Sequence, residues 1–166
     1  AWSNSFGSLN DTASVHMYDG ATHFQSTFTS IYNQMVTDNV ARTMSVSWSC
    51  AEVSGGQFPC DNPTRNTQHS IFNNMVGLGW SLVASSGDAG AFGNCKNLGV
   101  QFPANAWRTS RPNVVAAGGT ELAEFNGPIF SSEIGWVGDT VAGSCAKNNG
   151  GSTGGCSIDY AAPSYQ

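Results

Sequence analysis

The sequence predicts an α/β fold with a parallel sheet, on three observations. Strand-like and helix-like segments alternate along the chain. One apolar run, Leu82-Val83-Ala84, has no polar alternation and so reads as a strand buried on both faces. That run stops in the turn Ser85-Ser86-Gly87-Asp88-Ala89-Gly90, whose glycines permit a tight bend where a parallel strand ends.

Each element follows in order. Ser14 to Tyr18 alternates apolar and polar residues and reads as a strand. Phe24, Phe28, Ile31 and Met35 recur at helical spacing, which predicts an amphipathic helix over roughly 24 to 37. Thr43 to Trp48 reads as a second strand. Cys50 to Arg65, with Gly55-Gly56 and two prolines, reads as a loop. Gln68 to Val76 places Ile71, Phe72, Met75 and Val76 on one face of a second helix. Ser81 to Ser85 is the third strand and Pro112 to Gly119 supplies a fourth. From Phe125 onward glycine and asparagine dominate, and the pattern is mostly loop with short strands. A β-α-β-α-β order implies parallel pairing through crossover helices. Nothing repeats and no linker divides the chain, so residues 1–166 read as one unit.

Composition narrows the function. The chain has 166 residues, with 40% hydrophobic and only 10% charged residues, against the usual quarter charged. Its formal net charge of -5 speaks against nucleic acid as a partner. A weakly charged surface rich in Ser, Thr, Asn and Gly suits a secreted protein. Its five cysteines form no Cys-x-x-Cys pair, which argues against zinc and for disulfides. No apolar run is long enough to span a bilayer, so no membrane partner is expected.

Several motifs compete as the chemical site. Gly150-Gly151-Ser152-Thr153-Gly154 has the G-x-S-x-G spacing of a nucleophile elbow, which needs a strand before it and a helix after it. Asn148-Asn149 and Gly155 flank it instead, so the segment reads as a flexible loop. His16, His23 and His69 are scattered. Their spacing leaves a Ser-His-Asp triad open, but none adjoins a turn motif, and surface or helix-face positions fit them. Asp88 is the one carboxylate in the turn after the apolar strand. By itself it is as readily a turn residue capping its own backbone.

Taken together, the segments resemble the sedolisin family, the serine-carboxyl peptidases. Ser45-Val46-Ser47-Trp48 with Glu52, then Ala84 to Gly90, carry the likeness. Phe102-Pro103-Ala104 and Arg111 to Leu122 extend it. Glu133-Ile134-Gly135-Trp136, Gly154-Gly155-Cys156-Ser157 and Pro163-Ser164-Tyr165-Gln166 complete it in the family's order. The closest likeness is to the acid-active, pepstatin-insensitive branch.

The resemblance implies a subtilisin-like α/β fold, a parallel sheet with helices on both faces, and cleavage of peptide bonds by acyl transfer. The family activates its serine with a glutamate backed by an aspartate, and a further aspartate supplies the oxyanion hole. Asp88 matches that last position. The strand matched by Ser45 to Trp48 runs beside the substrate backbone, which brings Ser47, Trp48 and Ser49 near a bound peptide. Ser49 departs from the family's glycine and narrows the cleft. The family's Glu-then-Asp helix has no counterpart before Ser14, and its nucleophile and calcium site lie beyond the segment matched by Pro163 to Gln166. The expectation is therefore a partial peptidase domain, incomplete at both ends. It holds no cofactor of its own and is monomeric and inactive by itself. The alternative is a non-catalytic binding module on the same scaffold.

The family also pairs a cysteine after the Ser-x-Ser strand with one after the Ser-Gly-Asp turn, as Cys50 and Cys95 are placed. Both would lie at one sheet edge, so Cys50–Cys95 is the expected disulfide. Cys145 and Cys156 flank a Gly/Asn loop and form the second pair, which leaves Cys60 over as a competitor for Cys95.

Overall fold

The computed structural model describes residues 14–48, 50, 61–88, 107–108, 111–112, 114–123, 132–136 and 151–153. Helix α1 spans Gln25–Asp38 and strand β1 spans Thr43–Val46. Helix α2 spans Asn62–Gly77 and strand β2 spans Ser81–Ser85. The short strands β3 (Trp107–Arg108) and β4 (Arg111–Pro112) form an antiparallel pair. Strand β5 spans Val115–Ala117, and β6 (Thr120–Ala123) pairs antiparallel with β7 (Ser132–Gly135).

The central sheet has the order β1-β2-β5, and both pairings are parallel. Its register sets Met44 beside Leu82, Val46 beside Ala84, and Ala84 beside Ala116. Parallel neighbours end at the same edge, so all three strands deliver their C-termini to one side of the molecule.

The core lies on the face that carries Met44, Leu82 and Ala84. These residues join Tyr32 of α1 and Phe72 and Met75 of α2 in one buried cluster. Tyr32 meets Phe72 edge-on, with ring centroids 5.0 Å apart, a favoured aromatic geometry. The helices pack on each other and α2 packs on β2. A polar tie crosses between the helices, where Gln68 is fully buried and its Nε2 donates to Thr29 Oγ1 at 2.9 Å and to the Gln25 carbonyl at 3.2 Å.

Helix α2 starts six residues before the stretch the periodicity marks out, inside the expected loop. Asp61 caps it, its Oδ1 accepting from the Thr64 N–H at 2.7 Å. Pro63 sits in the first turn, where a missing N–H costs nothing. The proline that suggests a loop is therefore a helix-start signal. At the other end Gly79 takes φ +83°. The chain turns there so that the Trp80 N–H reaches back to the Met75 carbonyl at 3.0 Å and leads directly into β2.

The expected strand over Ser14 to Tyr18 is not one. The segment pairs with no strand among the described residues, and Met17 is 93% exposed. Alternation of apolar residues fits a pleated surface but does not create a ladder partner. Tyr18 instead donates its hydroxyl to Asp38 Oδ2 at the end of α1, at 2.9 Å. No helix among the described residues is long and apolar enough to cross a membrane.

Candidate functional site

The C-terminal edge of the central sheet gathers three segments. Ser47 and Trp48 leave β1, Ser86-Gly87-Asp88 leave β2, and Gly118-Gly119 leave β5. The β2–β5 ladder continues one residue past the strand, with the Ser86 N–H donating to the Ala117 carbonyl at 2.9 Å. Gly87 then takes φ +109°, a conformation side chains rarely adopt, and this breaks the strand and swings Asp88 away from it. A position at the sheet edge implies partial burial for Asp88. Its side chain is exposed at the tip of the turn instead.

The backbone of the turn is held from a distant part of the chain. Gly151 N–H donates to the Asp88 carbonyl at 3.1 Å, and Thr153 N–H donates to the Gly87 carbonyl at 3.0 Å. Between them Ser152 N–H donates to the Trp136 carbonyl at 3.2 Å, while Trp136 N–H donates to the Gly119 carbonyl at 3.0 Å. Residues 151–153 are thus not a free loop, and Gly151 and Thr153 are buried. Glycine after β5 permits a close approach to this segment. A Cβ on Gly118 would stand 3.1 Å from Ser152 Cβ. The serine of the G-x-S-x-G spacing, Ser152, has its hydroxyl engaged by the Gly119 backbone, and the residues on either side of 151–153 lie outside the described residues.

Trp48 is half-buried and stacks on Phe28 of α1, with ring centroids 4.0 Å apart and planes 22° apart. Ser47, one residue earlier, is exposed at the same edge. Ser49, the third residue expected beside a bound peptide, lies outside the described residues. Cys50 is buried and disulfide-bonded. Cys60, Cys95, Cys145 and Cys156 lie outside the described residues, as do the expected pairings.

The three histidines do not meet at this edge. His16 and His23 are exposed near the start of the described chain, and His69 is buried on α2, packed inward rather than on a free helix face. Among the described residues no group of three or more His, Cys, Asp or Glu stands together as metal ligands would.

Asp88 and Trp48 thus follow neighbouring strands of one parallel sheet. Known proteins resemble this chain in sequence and fold. The chain is 31% identical to sedolisin of Pseudomonas sp. (strain 101), over 73% of its own length and 20% of that protein's. It is 30% identical to xanthomonalisin of Xanthomonas sp. (strain T-22), over 83% of its length and 19% of the relative's. Its fold superposes on the structure of Pseudomonas sedolisin, a serine-carboxyl proteinase complexed with two molecules of pseudo-iodotyrostatin. The TM-score is 0.69 at 27% identity, covering 88% of this chain and 38% of that one.

The chain belongs to the sedolisin family. It spans about a fifth of the length of the curated relatives it matches. No family model matches it. Its α/β architecture is that of the sedolisins, a subtilisin-like parallel sheet with helices, here incomplete.

Proposed function

We propose that this chain supplies the oxyanion aspartate and part of the substrate cleft of a secreted serine-carboxyl peptidase that hydrolyses peptide bonds in acid. The observation that carries the proposal is the placement of Asp88. Its backbone is tied down on Gly151 while its carboxyl projects into solvent where β1, β2 and β5 all end.

In acyl transfer the attacked carbonyl oxygen gains negative charge. A donor aimed at that oxygen stabilises the transition state more than the ground state. A carboxylate cannot donate, so Asp88 works as the neutral acid, which an acidic medium populates. Ketosteroid isomerase uses a neutral aspartic acid as a hydrogen-bond donor in the same way. Asp88 lends its O–H to the oxyanion and keeps the proton when the intermediate collapses. The peptide runs along the continuation of β1, where Ser47 and Trp48 line it.

This reading assigns the chain neither the family's nucleophile nor its glutamate–aspartate base. Nucleophile, base and oxyanion donor act as a unit, so the chain by itself is inert. The same reading takes the enzyme as monomeric, with Cys50–Cys95 and Cys145–Cys156 as its disulfides. The test is hydrolysis of a denatured protein by the pure full-length native protein in acid. Activity that is lost on Asp88→Ala supports the proposal. A full-length protein that binds peptides without cleaving them overturns it in favour of a binding module.

A further inference from the structure

Resting on that reading of Asp88, we infer that Ser152 is a positioning residue for the oxyanion aspartate. Its hydroxyl accepts from the Gly119 N–H at 2.5 Å and donates to the Gly119 carbonyl at 2.9 Å. One side chain thereby bonds both backbone groups of the residue that leads from β5 into β6, whose carbonyl also accepts from the Trp136 N–H. The backbone on either side of Ser152 does the remaining work. Gly151 and Thr153 each give an N–H to the Asp88 turn, on the Asp88 and Gly87 carbonyls. Ser152 therefore clamps the turn of β2 to the end of β5 through a segment more than sixty residues further along the chain.

Gly118 and Gly119 make the clamp possible. A Cβ on Gly118 would lie 3.1 Å from Ser152 Cβ and 3.2 Å from its Oγ, tighter than ordinary packing allows. A Cβ on Gly119 would lie 3.5 Å from Ser152 Oγ. The Gly-Gly pair after β5 is the seat of the serine. Ser86 lies beside the same seat, its buried Oγ 3.7 Å from that Gly118 position. Asp88 has an exposed side chain, and among the described residues its carbonyl is held by the Gly151 N–H. The aim of its carboxyl depends on what holds its carbonyl, and that is the segment Ser152 fixes.

The test uses the full-length native protein, with hydrogen exchange and peptide hydrolysis read on the same samples. In the parent, the Gly151 and Thr153 amides are protected as the Ser86 amide is. Exchange at the unprotected rate there overturns the inference without any variant. Ser152→Ala, which removes both hydrogen bonds of the hydroxyl, speeds exchange at Gly151 and Thr153 by about tenfold or more and leaves the β1–β2 amides unchanged. Gly118→Ala, which displaces Ser152 without removing its hydroxyl, does the same. Both variants lower kcat with KM held. Combined with Asp88→Ala, Ser152→Ala causes no further loss, because the group it positions is gone. A merely structural role costs the same factor in both backgrounds, and that result overturns the inference. A kcat unmoved by Ser152→Ala does so too. If Asp88→Ala itself leaves kcat at the parent value, the reading of Asp88 has failed rather than the clamp.

Discussion

Gly151 donates its backbone N–H to the carbonyl of Asp88 at 3.1 Å, joining two residues that are far apart in the chain. The contact divides Asp88 into two parts with different duties. Its backbone belongs to the scaffold, and its carboxyl is left to solvent at the sheet edge.

Trp48 depends on Phe28 for its orientation. The two rings stack at 4.0 Å, and such pairs contribute about 0.5–1.5 kcal/mol beyond burial. Phe28→Ala in the full-length native protein is expected to raise KM for a peptide substrate by roughly two- to tenfold, with kcat nearly unchanged. Phe28→Tyr restores KM. A change in kcat alone would show that Trp48 does not touch the substrate.

Asp61 caps α2, and its hydrogen bond from the Thr64 backbone holds its carboxyl below the usual range. A depressed folded-state value means the unfolded state binds the proton more readily. The stabilisation is complete above the unfolded-state range and is lost as pH falls through the folded value. Asp61→Ala is expected to cost roughly 0.5–2 kcal/mol at neutral pH, and the difference from the parent shrinks in strong acid. Urea unfolding at several pH values checks this. A difference that grows towards acid would contradict the cap.

Phe72 is fully buried in the core cluster, where it meets Tyr32 edge-on. Phe72→Ala is expected to destabilise the fold by about 3–5 kcal/mol. Chemical denaturation of the variant measures it. A loss under about 1 kcal/mol would mean that the α1–α2 layer packs differently.

The disulfide at Cys50 has a definite expected partner. Non-reducing peptide mapping should recover Cys50 joined to Cys95 and Cys145 joined to Cys156, with Cys60 left over. A peptide linking Cys60 to Cys50, Cys145 or Cys156 would overturn that scheme.

Much of the fold is legible in the sequence, for local reasons. Strand β2 is readable to the residue because an unbroken apolar run ends in a Ser-Gly-Asp turn, and each signal is contained in a few neighbouring residues. Helix α1 is readable because Phe28, Ile31 and Met35 repeat at helical spacing. The start of α2 is not, because Asp61 and Pro63 serve loops and helix caps alike, and only the Thr64 N–H on the Asp61 carboxyl decides between them. Ser14 to Tyr18 misleads because a strand exists only with a partner, and pairing is not a local property. The Gly151–Thr153 clamp is hidden for the same reason. Glycine-rich sequence marks both mobile loops and close approaches, and Gly118, the residue that needs the approach, stands 34 positions from Ser152.

The most direct test of the central claim is kcat against pH for the full-length native protein, Asp88→Asn and Asp88→Ala. An O–H donor predicts that the parent is active in acid and declines as the carboxyl ionises. Asp88→Asn keeps a donor, so it retains part of the activity with a flatter decline. Asp88→Ala loses on the order of 10²–10³ in kcat, the usual cost of one oxyanion donor. If Asp88→Ala instead turns over like the parent at every pH, Asp88 is only a turn residue and the proposed site is wrong.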